Sequence, residues 1–302
     1  FLPGKRESRR YVGDYLPTEN DIRSGGKFDD IIAYGGWPVD DHHPDGFDNK
    51  TAPWYGSMHP PVPSPYGIPY RTLYSKNIDN LFFAGRNISA SHIGMSSTRV
   101  MGTCAMLGQA VGTAAAIAVE YDLLPRGVYQ EKINEVQACL MRDDCYLPGI
   151  KRTIDPCCTQ AELTASNGNP EPLRNGHDRP VEGSEHCWSG ERGDWVEYRF
   201  YKPEKINEVR LVFDSDLNRK TLNMVSSYPL KGSVFSPPAT LVKSFRLETM
   251  NTAGEWTTIS HMENNYQRYV RIPISVTARA LRCTIESSHG NNAVNIFSFD
   301  FC

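Results

Sequence analysis

The spacing of apolar residues differs between the two halves of the chain. Between Val100 and Ala118 apolar residues recur at intervals of three and four on two neighbouring stripes, which predicts a long, mostly buried helix. A second helix is predicted over 129–141. After about residue 160, short segments alternate apolar and polar residues and are separated by turn residues, which predicts an all-β sandwich or jelly roll.

A shorter apolar run precedes the long helix. Residues 81–84, with the sequence LFFA, end at Gly85 and predict a buried parallel strand that leads into a loop. Ser96, Ser97 and Thr98 are suitable N-caps for the helix that follows. The predicted fold is an α/β strand–turn–helix unit within residues 1–150, a linker over 151–165, and an all-β jelly-roll sandwich over 166–302.

Charge and composition exclude several classes of protein. The 302-residue chain has a formal net charge of −3, so it lacks the basic excess expected of a protein that binds nucleic acid or anionic membranes. The run 103–119 is mainly Ala and Gly and is interrupted by Gln109 and Thr113, which favours a buried helix over a membrane span. Eight cysteines leave two alternatives open: a bridge such as Cys139–Cys145 in an oxidising compartment, or free, partly buried thiols. The paired spacing of a zinc site is lacking, so no metal is predicted.

The predicted strand–turn–helix unit has the features of a ligand site. Small residues at 84–85 let a flat or charged ligand approach the backbone. A helix N-terminus near 96–98 offers unpaired amides to a phosphate or to a negatively charged carbonyl. A tightly packed core helix with no ligand is the alternative that these residues leave open. Residues 1–79 are rich in Pro, Gly, Tyr and Asp, which predicts ordered loops laid over the site.

Three long strings carry a resemblance to a known family: SRRYVGDYLPTENDI (8–22), YGGWPVDDHHPDG (34–46) and YGIPYRTLYSKNIDNLFFAGRNISASHIGMSSTRVMGTCAMLGQAVGTAAA (66–116). The region resembles the C-terminal part of FAD-dependent oxidoreductases related to the succinate dehydrogenase and fumarate reductase flavoproteins. The resemblance implies FAD as cofactor. The sequence holds no G-x-G-x-x-G loop for the ADP half of FAD. We therefore expect the flavin-closing half of a site, with the nucleotide-binding half in the same polypeptide or in another chain.

The resemblance implies a flavin site made by two segments. Ala84, Gly85 and Arg86 are expected along the ribityl and pyrophosphate side. The helix N-terminus is expected to face the C2 carbonyl of the isoalloxazine, presented by Ser96, Ser97, Thr98, Arg99 and Val100. Arg99 is a further candidate to pair with a flavin phosphate or a carboxylate.

Substrate contacts are predicted from residues near these segments. His92 lies between the predicted strand and helix and is the candidate catalytic base, although a histidine that merely holds the turn is the competing interpretation. The candidate substrate-binding residues are Arg9, Arg10, His43, Tyr70 and Trp188. For each of these, a surface or packing role is the alternative.

The stretch WSGERGDWVEYRFYKPEKINEVRLVFDSD (188–216) resembles a galactose-binding-like, discoidin-type jelly roll. Trp188 is expected to be exposed near the loops, where its ring would stack on a sugar. The alternation of Trp195 with Val196 predicts that Trp195 faces the core. A packing domain without a ligand is the alternative.

Two functions follow as hypotheses. The first is an FAD-dependent oxidoreductase that transfers a hydride to flavin from an unassigned substrate, with a carbohydrate-derived compound suggested by the second domain alone. The second is a non-catalytic carbohydrate-binding or interaction protein with a remnant flavoprotein segment. The glycan-facing domain and the cysteines favour an extracytoplasmic location, periplasmic or secreted.

Overall fold

A computed structural model describes residues 10–42, 48, 57–58, 60–216 and 237–302. Arg9 and His43 lie outside these residues, so their predicted roles stay predictions. The chain divides into two compact units, residues 1–150 and residues 151–302, which we call unit 1 and unit 2.

The described part of unit 1 combines helices with two small antiparallel sheets, in which β1 pairs with β4 and β2 pairs with β3. The elements, in chain order, are α1 Glu19–Arg23, β1 Ile31–Gly35, β2 Asp41–His42, β3 Ser57–Met58, β4 Tyr66–Pro69, α2 His92–Thr98, α3 Met101–Glu120 and α4 Pro125–Arg142. The predicted second helix is confirmed as α4, which starts earlier because Pro125 suits the first turn of a helix.

The predicted parallel strand at residues 81–84 is wrong. In the described residues this run forms an isolated antiparallel bridge between Tyr74 and Phe82. The amide of Phe83 donates to the carbonyl of Leu73 at 2.7 Å, and the Phe83 side chain is 1% exposed. The apolar run therefore packs into the core without joining a parallel sheet.

The predicted N-caps of the long helix are also wrong. Ser96, Ser97 and Thr98 lie inside the separate short helix α2, and α3 begins at Met101 after an extended Val100. Two of the hydroxyls bond back to α2 itself: Ser96 Oγ donates to the carbonyl of Ile93 at 2.6 Å, and Thr98 Oγ1 donates to that of Gly94 at 3.1 Å. Ser and Thr side chains compete for backbone groups in this way, which often bends or ends a helix.

Only one face of α3 is buried, although the sequence predicted burial over two stripes. The buried positions face the core of unit 1 and include Leu107, Ala110, Ala114 and Ile117. On the other stripe Met101 is 89% exposed and Val119 is 84% exposed. By length and composition α3 is also apolar enough to cross a membrane, the one such helix in the described ranges.

Unit 2 is an antiparallel β-sandwich, as predicted. Its elements are α5 Pro156–Gln160, β5 Glu162–Ala165, β6 Trp188–Glu191, β7 Trp195–Phe213, β8 Val242–Met250, β9 Trp256–Met262, β10 Tyr269–Ser288 and β11 Ala293–Phe301. The strands hydrogen-bond in the order β6-β11-β7-β10-β8-β9, and β5 also pairs with β7.

Two long strands, β7 and β10, run through both halves of the sandwich. The first part of β7 pairs with β5 and with the end of β10, and its last part pairs with β11 and with the start of β10. The sequence suggested shorter separate strands in these regions. Register shifts in β10 near Pro273 and Ala278 let the strands continue while the pairing changes.

The residues predicted as a linker, 151–165, belong to unit 2. β5 pairs with β7, and Cys158 of α5 is fully buried in the sandwich core. The segment lacks a long apolar run because it contributes one short strand and one short helix to a core built mainly by other strands.

Candidate functional site

His92, the predicted catalytic base, lies between an acidic and a basic residue on unit 1. Its Nε2 is 2.9 Å from Asp41 Oδ1, and its Nδ1 is 3.0 Å from a terminal nitrogen of Arg10. Arginine can only donate hydrogen bonds, so Nδ1 accepts from Arg10. The ring proton is then on Nε2 and is donated to Asp41. Each ring nitrogen of His92 thus has a protein partner of opposite hydrogen-bonding character.

The segment that carries Asp41 is attached to α2 at several points. Ser97 Oγ donates to the carbonyl of Trp37 at 2.6 Å. A terminal nitrogen of Arg99 donates to the carbonyl of Asp40 at 2.8 Å. The amide of Asp40 bonds to the carbonyl of Ser96 at 3.4 Å. Together these contacts place the Asp41 carboxylate beside the first residue of α2.

The start of α2 is itself held tightly. Ser91 caps the helix by accepting from the amide of Gly94 at 3.0 Å, and the amide of Ser91 donates to the carbonyl of Pro17 at 3.0 Å. A Cβ added at Gly94 would lie 2.6 Å from that same oxygen. Position 94 therefore needs glycine, and His92 sits on a rigid helix start.

Tyr66 supports the same helix from inside the core. Its hydroxyl lies 2.5 Å from Ser97 Oγ, which already donates to Trp37, so Tyr66 is the donor. Burial raises the pKa of Tyr66 to about 12, against the smaller opposing effect of the Ser97 hydrogen bond. Tyr66 is protonated at neutral pH and has a structural role here.

The structure brings together two of the predicted site residues, Arg10 and His92, and adds Asp41, which the sequence analysis missed. The available signal was the run VDDHH, in which acidic residues and histidines are adjacent within a Pro-rich region. That run says nothing about which carboxylate meets which imidazole, since Asp41 and His92 are 51 residues apart.

Two predicted substrate contacts are buried in the core. Tyr70 is 0% exposed, and its hydroxyl donates to the carbonyl of Pro125 at 2.9 Å. Trp188 is 1% exposed, and its Nε1 donates to the carbonyl of Asn167 at 2.9 Å. The expectation of an exposed Trp188 is wrong because its ring packs over Gly190 and fills the sandwich interior.

The predicted flavin residues divide into accessible and buried groups. Ala84 and Arg86 are exposed, and between them Gly85 has a φ of +99°, a conformation that favours glycine. Ser96, Ser97 and Thr98 are buried at 2%, 0% and 3% exposure. Their hydroxyls donate to the backbone carbonyls of Ile93, Trp37 and Gly94.

The open helix N-terminus lies further along the chain than predicted. Val100 is the N-cap of α3 and provides no side-chain hydrogen bond. Met101 is exposed, and a Cβ added at Gly102 would meet no described atom within 4 Å. The first amides of α3 therefore fit a polar or negatively charged acceptor such as a flavin carbonyl. The sequence contains no G-x-G-x-x-G string for the ADP half of FAD.

Unit 2 contains a surface cavity of about 350 Å³ between the β6–β7 turn and the β10–β11 turn. Ile285 and Val294 give it an apolar floor. The polar lining residues are Glu191, Arg192, Ser287, Ser288, Asn291 and Asn292. The exposed ring of Tyr266 packs at a tilt against His289, which precedes Gly290 of the lining in the chain, with 5.1 Å between the ring centroids.

A buried charge cluster elsewhere in unit 2 is structural. Asp178 accepts from Arg152 at 3.0 Å and from Arg210 at 2.7 Å, and Asp300 lies 2.6 Å from Arg152. Burial opposes ionisation of Asp178, but the two guanidinium groups outweigh it and hold the pKa of the carboxyl below its usual range. Each of the four side chains is at most 8% exposed.

Comparison with known proteins supports the resemblance found in unit 1. Residues 2–140 match the model of the family described as FAD dependent oxidoreductase. The sequence-based assignment of this region to that family is confirmed. A comparison with curated proteins gave no match.

Solved carbohydrate-binding modules resemble about half of the chain. The family 32 module from Streptococcus pneumoniae EndoD has 16% identity and a TM-score of 0.38, and the match covers 48% of this chain and 97% of that one. The family 32 module of Clostridium perfringens NanJ, solved with galactose, has 8% identity and a TM-score of 0.35, covering 48% and 95%.

Proposed function

We propose that unit 1 is the flavin-closing half of an FAD-dependent oxidoreductase. The family match over residues 2–140 supports the class. The observation that carries the proposal is the open start of α3, a 20-residue helix whose first turn has no side-chain cap. FAD, when bound, would supply the two-electron acceptor for substrate oxidation. The nucleotide-binding half would come from the same polypeptide or from a second chain.

The residues of unit 1 would hold one edge of the flavin. The first amides of α3, at Met101 and Gly102, would donate to a flavin carbonyl, which is the placement that helix N-termini favour for negative charge. Arg86 and Ala84 are exposed in the loop before α2 and would follow the cofactor towards its phosphates. Gly102, Gly108 and Gly112 form an exposed glycine-rich stripe of α3, which would allow close approach of the missing half.

The proposed substrate is a hydroxyl compound related to carbohydrates. A sugar hydroxyl must lose a proton when its carbon is oxidised, and the exposed His92 imidazole, whose Nδ1 lies 3.0 Å from Arg10, suits that task. The polar cavity of unit 2 is consistent with a polyhydroxy compound near the enzyme. A carbohydrate-facing role also favours an extracytoplasmic location.

The decisive experiment is the intact mass and visible absorption spectrum of the protein purified undigested from its natural source. We expect a mass well above 33.9 kDa together with flavin absorption bands. A mass equal to that of this chain with no flavin absorption would contradict the oxidoreductase proposal. A larger mass without flavin would also contradict it, provided that added FAD is not retained after dialysis.

A second candidate function is carbohydrate binding by unit 2, which the cavity favours. Glu191, Arg192, Asn291 and Asn292 line it, and their side chains make no hydrogen bond or ion pair within the described residues. An acid, a base and two amides over an apolar floor match the hydroxyls and the C–H face of a neutral sugar. The cavity volume lies at the small end of the usual range for ligand sites.

Calorimetric titration with a panel of neutral monosaccharides tests this second function. We expect binding by the full chain that is lost in Asn292→Ala and kept in Asn251→Ala, an amide in a different turn of unit 2. No heat change with any sugar, or equal binding by both variants, would contradict it.

A further inference from the structure

Asp41 has no role in the functions proposed above, yet it contacts the candidate base directly. Its Oδ1 lies 2.9 Å from His92 Nε2, and its side chain is only 15% exposed, whereas that of His92 is 57% exposed. An accessible imidazole backed by a largely covered carboxylate is the arrangement in which one residue orients another.

We propose that Asp41 is the positioning residue of His92 and that the proton-accepting atom of the pair is His92 Nδ1. This inference rests on the proposed oxidoreductase function, in which His92 meets a substrate hydroxyl. Asp41 acts through His92 and need not touch the substrate itself.

The hydrogen-bond chemistry assigns the two ring nitrogens. Arg10 lies 3.0 Å from Nδ1 and has only donors, so a proton on Nδ1 would face a second proton. Asp41 as a carboxylate has only acceptors, so it requires a proton on Nε2. Both partners therefore favour the same tautomer.

Asp41 is well placed to hold this orientation because the residues just before it are attached to α2 at two points. Trp37 and Asp40 receive hydrogen bonds from Ser97 and Arg99, while His92 is the first residue of the same helix. The carboxylate and the imidazole thus share one support, and their separation does not depend on a long flexible loop.

The proton moves from the substrate hydroxyl to His92, and no other reactant is needed. A substrate hydroxyl approaches Nδ1 in place of the Arg10 N–H group, its O–H bond breaks, and an N–H bond forms at Nδ1. The electron pair stays on the substrate oxygen, and the ring becomes an imidazolium. The Nε2–H···Asp41 contact then becomes an ion pair, which stabilises that cation. Arg10, displaced by a short distance, remains near the new alkoxide.

Nitrogen-15 NMR of the full chain, labelled at histidine, tests the assignment without FAD or substrate. The His92 signals are identified by their loss in His92→Gln. We expect an unprotonated Nδ1, a protonated Nε2, and a hydrogen-bonded Nε2 proton resonance. In Asp41→Leu that proton resonance should disappear through exchange with water, whereas in Asp122→Asn, an exposed acid elsewhere in unit 1, it should stay.

Asp41→Asn is the second variant in case Asp41→Leu does not fold. Its amide oxygen still accepts from Nε2, so the tautomer should stay while the proton resonance moves towards that of a neutral hydrogen bond. A protonated Nδ1 in the wild type, or an unchanged His92 spectrum in both Asp41 variants, would overturn the proposal. Because no flavin is involved, failure here is distinct from failure of the oxidoreductase proposal.

Discussion

The guanidinium carbon of Arg282 lies 4.0 Å from the ring centroid of Trp256 on the outer face of the sandwich. The ring of Trp195 lies 4.7 Å from the same carbon. The prediction that Trp195 faces the core is therefore wrong, and its neighbour Val196, 0% exposed, takes the core position. The same guanidinium donates to Glu197 Oε2 at 2.9 and 2.6 Å, and Glu197 is 1% exposed. One arginine thus connects β7, β9 and β10 through a buried carboxylate and two aromatic rings.

Replacing this arginine should destabilise unit 2. Arg282→Ala removes both cation–π contacts and leaves Glu197 buried with Arg199 as its remaining ion-pair partner, so we expect a loss of about 3 kcal/mol in the free energy of unfolding. Urea unfolding, monitored by tryptophan fluorescence, measures this loss of stability. Arg192→Ala, an exposed arginine of the same unit, should change stability by less than about 0.5 kcal/mol. Equal effects of the two substitutions would contradict this account.

We expect that exposed glycines of α3 can be replaced by alanine in this chain without a loss of stability. A Cβ at Gly108 or Gly112 would meet no described atom within 4 Å. Alanine should therefore raise the free energy of unfolding of unit 1 by about 0.5–1 kcal/mol at each position, because glycine is a weak helix former. Thermal unfolding monitored by circular dichroism measures the change.

Gly94→Ala is the matched contrast for the α3 variants. Its Cβ would lie 2.6 Å from the backbone oxygen of Pro17, so we expect unit 1 to be destabilised rather than stabilised. Destabilisation by Gly112→Ala in the isolated chain would show that the α3 stripe is covered and would contradict the exposure described here.

A pair of stacked histidines predicts a loss of stability of unit 2 at mildly acidic pH. The rings of His177 and His186 are 4.2 Å apart, and burial, followed by His186 and Lys151, lowers the pKa of His177. A base with a lowered pKa is neutral in the folded state, so the unfolded chain takes up the proton first as pH falls. Stability is then fully present above the unfolded pKa of 6.5 and decreases as pH falls through it.

Melting temperatures of unit 2 at pH 7.5 and pH 5.5 measure this effect. We expect the wild type to lose more stability between these two values than His177→Gln does. His261→Gln removes a histidine that contacts Glu286 instead of another histidine, and it serves as the control. An identical pH dependence in wild type and His177→Gln would contradict the prediction.

The buried charge cluster predicts that Asp178→Asn, a substitution of nearly the same size, strongly destabilises unit 2. Asp178→Asn keeps the shape of the side chain but removes the negative charge between Arg152 and Arg210, which leaves two buried guanidinium groups with less compensation. We expect a loss of about 3–5 kcal/mol in the free energy of unfolding of unit 2.

The direction of the pH dependence gives a further check on Asp178. Its pKa is lowered in the folded state, so its stabilisation is present above the unfolded value of 3.8 and is lost as pH falls through the folded value. Guanidinium chloride unfolding at pH 7 and pH 3 should show the wild type approaching the stability of Asp178→Asn at the lower pH. Glu185→Gln, an exposed acid, should behave as the wild type does at both.

Some elements were predictable because their pattern is local. The helix α4, the β-sandwich and the long helix α3 follow from apolar spacing, and the strings around residues 66–116 are long enough to indicate the flavoprotein family. The start of α3 was predicted two to four residues too early because Ser96, Ser97 and Thr98 are good N-caps by residue type, whereas the observed N-cap is Val100 and their hydroxyls bond elsewhere.

Burial was harder to predict than secondary structure. Tyr70 and Trp188 were expected at a ligand because they are aromatic residues near loops, but both fill the core. The opposite error occurred on α3, where Met101 and Val119 are apolar yet exposed. Residue type says how favourable burial is, while the packing of the whole unit decides which face of an element is covered.

The sequence by itself determined the two kinds of fold, the resemblance of the strings between residues 8 and 116 to FAD-dependent oxidoreductases, and His92 and Arg10 as candidate site residues, because each depends on residues close in the chain or on long matching strings. Only the tertiary structure decided that Asp41 meets His92, that Trp188 is buried, and that α3 begins at Met101. The first relationship joins residues that are distant in the chain, and the other two depend on the path of the backbone. The order of the residues alone does not specify either kind of relationship.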